Sequence, residues 1–106
     1  MPLLKGTLDF LALKALSFGP RHAFEIIRWI EDSSGGEFPV EGAALLQSLH
    51  RLEERRLLTA AWGTTENNRR ARYYSLTSSG RTALREATAS LRNSVAALTT
   101  ILDARA

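Results

Sequence analysis

The stretch Thr64–Tyr74, TTENNRRARYY, decides the fold prediction. It follows the segment Leu57–Trp62 and runs into the segment Arg72–Leu76, and both segments are rich in apolar, aromatic and β-compatible residues. The sequence predicts that these segments pair as two short strands. Asn67 and Asn68 form the expected tip, because asparagine tolerates the positive φ that tight hairpin turns require. We therefore expect a β-hairpin with a polar, basic loop.

Three helices are expected before the hairpin, because apolar residues recur there every three or four positions. The stripe of the first helix is formed by Leu4, Leu8, Leu11 and Ala15. This helix should end before Pro20, which cannot continue it. A second helix is predicted over about Arg21–Asp32, and a third from Glu41 or Gly42 to about Arg55. The inner stripe of the third helix consists of Leu45, Leu49 and Leu52.

A long fourth helix is predicted after the hairpin, from a cap at Thr77 or Ser78 to about Ala104. Its apolar stripe is formed by Leu84, Ala87, Leu91, Val95, Leu98 and Leu102. Much of this stripe has no obvious partner within the chain, so we expect it to pack against a second copy or another protein. The alternative is that it folds back on the first helix. Together with Leu4 and Leu8, the stripe is the candidate dimer interface.

The composition is that of a small soluble protein. The 106 residues are enough for one domain, near the size at which self-association adds useful burial. Apolar residues at 44% and charged residues at 24% are ordinary for a globular chain. The absence of cysteine excludes disulfides, thiol catalysis and cysteine-based zinc sites. The longest apolar run, Leu8–Leu16, contains two charges and is too short to cross a bilayer, so we expect a cytoplasmic protein.

The predicted order of three helices and a hairpin is that of a winged helix-turn-helix, a mainly α fold with a two-stranded wing. In this architecture the third helix enters the major groove of DNA, and the wing lies along the backbone or minor groove. Such a role requires basic surfaces. The third helix supplies Arg51, Arg55 and Arg56, and the hairpin supplies Arg69, Arg70 and Arg72. Residues 1–77 are therefore predicted to form a DNA-binding unit and residues 78–106 a dimerisation helix.

The distribution of charge agrees with this prediction. The net charge is +3, and residues 1–40 carry −1 whereas residues 41–77 and 78–106 each carry +2. Twelve of the fourteen basic residues are arginine, whose planar fork suits phosphates and guanine edges. A GC-rich genome would also raise the arginine content.

Three segments resemble the PadR family of bacterial transcriptional regulators. They are LLKGTLDFLALKALSFGPRHAFEI (Leu3–Ile26), LHRLEERRLL (Leu49–Leu58) and WGTTENNRRARYYSLTSSGR (Trp62–Arg81). The resemblance covers about residues 3–85, and the single helix after the wing is similar to the short subfamily. It implies a winged-helix homodimer that binds an inverted-repeat operator in double-stranded DNA, mostly as a repressor. In some members a small, often aromatic, effector releases the DNA.

The resemblance also implies which residues contact DNA. The wing pattern, in which an asparagine and basic residues precede two aromatics, is matched here. The candidate DNA-contacting residues on the third helix and the wing are Ala43, Gln47, His50, Arg51, Asn68, Arg69, Arg70 and Arg72. Tyr73 and Tyr74 should lie on opposite faces of their strand, so that only one of them reaches the core.

The start of the third helix departs from the family. It reads Ala43-Ala44-Leu45-Leu46-Gln47, where relatives typically have glycine, serine, leucine, tyrosine and proline. The hydroxyl groups that would contact DNA are missing, and one hypothesis is that Leu46 fills core or interface space instead. The competing hypothesis is a regulator whose DNA binding is weakened or altered. The alternative function is a protein-interaction or heterodimerising module on the same scaffold. Arg56 likewise stands where a glycine usually ends this helix.

Catalysis and metal binding are not expected. His22 and His50 are the only histidines, and no Ser-His-Asp arrangement, glycine-rich phosphate loop or paired carboxylates are found. We predict no enzyme activity, no cofactor and no metal.

Asp9 is placed on the polar face of its helix, and His22 is expected to cap or flank the second helix. Trp29 and Trp62 are expected to be packing residues, Trp62 at the base of the hairpin, with stacking on an aromatic ligand as the alternative.

Overall fold

The computed structural model describes residues 6–105. Its elements are α1 (Thr7–Leu16), α2 (Ala23–Ser33), α3 (Gly42–Glu54), β1 (Leu58–Thr64), β2 (Arg70–Leu76) and α4 (Ser78–Leu102). Three helices thus precede an antiparallel hairpin and one long helix follows it, which confirms the predicted winged helix-turn-helix order.

Helix α2 begins at a capping box. Nδ1 of His22 accepts a hydrogen bond from the Glu25 amide at 3.3 Å, and Oε1 of Glu25 accepts one from the His22 amide at 3.1 Å. The prediction that His22 caps this helix is therefore confirmed. The helix begins two residues later than predicted, because Arg21 is extended and its backbone pairs with Tyr74 of β2.

Helix α3 ends in a Schellman motif at Arg56. The Arg56 amide donates to the Glu53 carbonyl and the Leu57 amide donates to the Leu52 carbonyl, both at 2.9 Å. Arg56 has a φ of 61°, a left-handed conformation that glycine adopts without the steric conflict of a Cβ atom. Helix α3 therefore ends in the turn that a glycine usually forms, but an arginine occupies the left-handed position.

The hairpin is longer than predicted. Leu58 pairs with Leu76 at its base and Thr64 pairs with Arg70 near its tip, so each strand extends two residues further toward the loop. The ladder continues because the Thr65 amide donates to the Arg69 carbonyl at 2.8 Å. This extension carries the end of the wing well beyond the core.

The core lies between the first three helices and the base of the hairpin. Its largest fully buried apolar side chains are Leu16, Ile26, Ile30, Leu45, Leu49 and Leu52, and Tyr74 of β2 packs with them. Thr77 caps α4, because its Oγ1 accepts from the Gly80 amide at 3.0 Å and donates to the Arg56 carbonyl at 2.8 Å. The first turns of α4 pack against α1 and β2, and its remainder extends away from the core.

Within residues 6–105, none of the helices combines the length and apolarity that crossing a membrane requires.

Candidate nucleic-acid interface

The outer face of α3 is open to solvent. Its exposed residues are Ala43, Leu46, Gln47, His50, Arg51 and Glu54, whereas the inner residues Leu45, Ser48, Leu49 and Leu52 are buried. The helix period of 3.6 residues places the exposed set along one surface. Four of the predicted DNA-contacting residues, Ala43, Gln47, His50 and Arg51, therefore lie together on this outer face.

Leu46 belongs to this outer face and not to the core. Its side chain is 54% exposed, so the hypothesis that it fills core space is wrong. Leu45 and Leu49 already occupy the inward positions, and Leu46 is rotated about 100° from Leu45 around the helix axis. An exposed aliphatic side chain thus lies beside the polar residues Gln47, His50 and Glu54 on this helix surface.

A carboxylate of α1 holds α3 in place. Asp9 accepts hydrogen bonds from Oγ of Ser48 and from Nη2 of Arg51, the latter at 2.9 Å. Ser48 is fully buried, so its hydroxyl needs a partner inside the protein. Asp9 is therefore a positioning residue for α3, a role that the sequence reasoning missed. The available signal was Ser48 itself, a polar residue in register with the buried Leu45 and Leu49.

Arg72 ties the wing to α3. Its Nη2 donates to Oε2 of Glu53 at 3.0 Å, and both side chains are partly exposed. The same guanidinium lies 5.9 Å from the ring centre of Tyr74. Arg51 and Arg72, both predicted to contact DNA, thus already have carboxylate partners within the protein. The Arg72–Glu53 pair constrains where the wing lies relative to α3.

Arg69 and Arg70 are exposed near the tip of the wing. Neither forms a salt bridge with a carboxylate of residues 6–105. The Arg70 guanidinium lies 4.7 Å from the ring centre of Trp62, a cation–π distance. Trp62 is 62% exposed, so the prediction that it packs at the hairpin base is wrong. It lies opposite Arg72 in the strand register, where the hairpin has already passed the edge of the core.

The wing loop is fixed by a turn at Asn68. This residue has a φ of 61°, and its amide donates to the Thr65 carbonyl at 2.9 Å. The neighbouring Arg69 amide donates to Oγ1 of Thr65 at 3.2 Å. Tyr74 is buried and Tyr73 is half-buried on the opposite strand face, as the alternation of strand side chains predicts. The predicted turn thus orients the two exposed arginines that follow it.

The predicted dimer stripe divides into two parts. Leu8, Leu84 and Ala87 are half-buried, and the two leucines pack against the core of the same chain. Leu91, Val95, Leu98 and Leu102 are exposed in the second half of α4, with Leu102 at 82%. Ile101, which the sequence reasoning left out, is exposed beside them. Leu4 lies outside the described residues.

A model of the PadR-like family of transcriptional regulators matches residues 12–86. The chain belongs to this family. The matched region contains α2, α3 and the wing. It covers the second and third segments on which the sequence resemblance was based, and the first segment from residue 12 onward. As a member of a family of transcriptional regulators, the PadR-like chain is not an enzyme, in agreement with the sequence prediction. Among residues 6–105, no group of three or more His, Asp or Glu side chains is arranged to hold a metal ion.

Solved structures share the fold of this PadR-like chain. A PadR-family regulator from Eggerthella lenta is 26% identical, with 95% of this chain and 86% of that chain covered and a TM-score of 0.80. A protein from Streptococcus mutans UA159 is 22% identical over 100% of this chain and 95% of its own, with a TM-score of 0.87. PadR of Bacillus subtilis, solved in complex with operator DNA, is 19% identical over 76% of this chain and 45% of its own, with a TM-score of 0.68.

Proposed function

We propose that this PadR-like chain is a homodimeric repressor that binds an inverted-repeat operator in double-stranded DNA. The observation that carries the proposal is the joint presentation of two surfaces, the exposed outer face of α3 and the exposed arginines of the wing. The Arg72–Glu53 ion pair links the elements that bear them. A helix with polar, exposed side chains and an adjoining basic hairpin are the two parts that a winged helix uses on DNA. The Bacillus subtilis PadR structure with operator DNA supports the same class of partner.

We assign the candidate residues to different roles according to their exposure and partners. Gln47 and His50 of α3 face outward toward base edges, and Ala43 leaves room for close approach of the helix to DNA. Arg69 and Arg70 bind phosphates or a narrow minor groove, since within residues 6–105 they have no carboxylate partner. Asn68 shapes the turn, and Arg51 and Arg72 contribute mainly by holding α3 and the wing in place.

Dimerisation is assigned to the second half of α4. Four exposed apolar residues recur there at spacings of three and four, the pattern of a helix that packs against another helix. A two-fold dimer presents two copies of α3 to DNA, and such a protein reads two inverted half-sites. Wild-type protein should therefore elute as a dimer in size-exclusion chromatography with light scattering, and a strict monomer would contradict this assignment.

We include a small aromatic effector in the proposal, as the family resemblance implies, and a cytoplasmic location, as expected from the sequence. An effector that binds between the subunits stabilises the folded dimer by mass action, so it raises the melting temperature in a concentration-dependent manner. The same compound should release DNA in a mobility-shift assay. Compounds that stabilise the protein without releasing DNA would argue against an effector role.

A mobility shift with the region upstream of the chain's own gene tests the DNA-binding proposal. The wild type should retain this duplex against an excess of nonspecific competitor at physiological salt. Arg69→Ala/Arg70→Ala should weaken binding to every duplex, because phosphate contacts do not depend on sequence.

A second candidate function is the protein-interaction or heterodimerising module. The exposed Leu46 on the outer face of α3 favours it, since an aliphatic side chain can contact another protein as well as DNA. This candidate predicts that the upstream duplex and random duplexes compete equally. Selective retention of the upstream duplex would exclude it.

A further inference from the structure

Leu46 is an unexplained feature of the proposed DNA surface. Isolated exposed leucines are common on proteins and need no explanation by themselves. This one, however, lies on the outer face of α3, where Gln47, His50 and Arg51 line the same shallow depression. A base edge that enters this depression therefore lies close to Leu46 as well as to the polar residues.

The position of Leu46 is fixed from beneath. Leu45 and Leu49 on the inner face are fully buried, and Ser48 is hydrogen-bonded to Asp9 of α1. These contacts fix the position of α3 along its axis and its rotation about that axis, and so they fix where Leu46 lies. The leucine side chain therefore projects from a rigid support, as selective recognition of a small group requires.

The chemistry of the major groove leaves one natural partner for such a side chain. Base edges there present hydrogen-bond donors and acceptors, which an aliphatic group desolvates without replacing their bonds. The C5 methyl group of thymine is the apolar exception, and apolar side chains contact it in protein–DNA complexes. Burial of Leu46 against this methyl group would be favourable, whereas burial against a cytosine amino group would be unfavourable.

We infer that Leu46 is a specificity-determining residue that selects thymine, through its methyl group, at one position of each half-site. The inference rests on the proposed function, because it requires α3 to enter the major groove. It also reinterprets the departure of this helix from the family pattern: loss of hydroxyl groups at the start of α3 changes the base that is selected and does not abolish recognition.

The test begins with selection of duplexes from a random library by the wild-type protein. The most enriched duplex is then synthesised with each thymine replaced in turn by deoxyuridine, which removes a single methyl group and keeps every hydrogen-bonding atom. At one position per half-site, this replacement should weaken wild-type binding by about fourfold, and by on the order of fifteenfold when both half-sites are changed.

Variants of Leu46 complete the test. Leu46→Ala should bind the thymine and deoxyuridine duplexes equally, whereas Leu46→Met, which keeps an apolar side chain of similar size, should retain the difference. Because Leu46 is more than half exposed, both variants should melt close to the wild type, which circular dichroism checks.

The outcomes separate the inference from the function on which it rests. Enrichment of a specific duplex with no sensitivity to any thymine methyl group overturns the inference and leaves operator binding intact. A methyl effect that persists unchanged in Leu46→Ala also overturns it. Failure of the wild type to enrich any duplex overturns the proposed function and this inference together.

Discussion

Removal of the two exposed wing arginines should change the salt dependence of DNA binding by a calculable amount. The logarithm of the association constant falls with the logarithm of salt concentration, with a slope of about −0.9 for each phosphate neutralised on duplex DNA. Arg69→Ala/Arg70→Ala removes four cations from a dimer, so the slope should become less steep by about 3.6. If Arg72 also neutralised a phosphate, the slope of the triple variant Arg69→Ala/Arg70→Ala/Arg72→Ala would be less steep by about 5.4.

The structure predicts that the triple variant resembles the double variant in its salt slope. The Arg72 guanidinium already donates to Glu53 at 3.0 Å, whereas Arg69 and Arg70 have no carboxylate partner within residues 6–105. Fluorescence anisotropy of a labelled duplex between about 50 and 200 mM salt would measure the slopes.

A charge-matched control is Arg92→Ala/Arg105→Ala, which removes exposed arginines from the second half of α4 and the residues after it. This control should leave the slope nearly unchanged. An unchanged slope in Arg69→Ala/Arg70→Ala would refute the wing assignment. If adding Arg72→Ala made the salt slope less steep by an additional amount of about 1.8, the positioning role of Arg72 would be refuted.

Three further predictions concern stability and assembly. Gly80→Ala should lower the free energy of unfolding by about 3 kcal/mol, because the added Cβ would lie 2.1 Å from a backbone carbonyl oxygen. Gly42→Ala is its control, since nothing lies within 4 Å of that Cβ, and equal losses in urea denaturation would contradict the packing. Arg56→Gly should stabilise the protein by about 0.5–1 kcal/mol by relieving the φ of 61°, and a loss of stability would show that the arginine side chain matters more. Val95→Asp/Leu98→Asp should give a monomer in light scattering, and a persistent dimer would place the interface elsewhere.

Local sequence patterns were sufficient for the order of elements. The turn at Asn68 followed from the tolerance of asparagine for positive φ, and the inner face of α3 followed from the spacing of Leu45 and Leu49. The glycine-like conformation of Arg56 also agrees with the family pattern. Each of these features depends on residues that are close in sequence.

The contacts that arrange the DNA-facing surface depend on residues that are far apart in sequence. Asp9 meets Ser48 across 39 residues, and Glu53 meets Arg72 across 19. Neither pairing leaves a periodic signal, because each arises only when two elements pack together. The position of Trp62 also depends on tertiary structure: it lies on the same strand face as Tyr74, but the length of the hairpin carries it beyond the core.

A footprint on the region upstream of the chain's own gene tests the central claim most directly. A two-fold dimer that places both copies of α3 in the major groove should protect two inverted half-sites on one side of the duplex. Their centres should lie about 10 base pairs apart, one helical turn, or a multiple of that distance. Absence of any protected site at protein concentrations that saturate binding to the duplex would contradict the account, as would protection of a single half-site without symmetry.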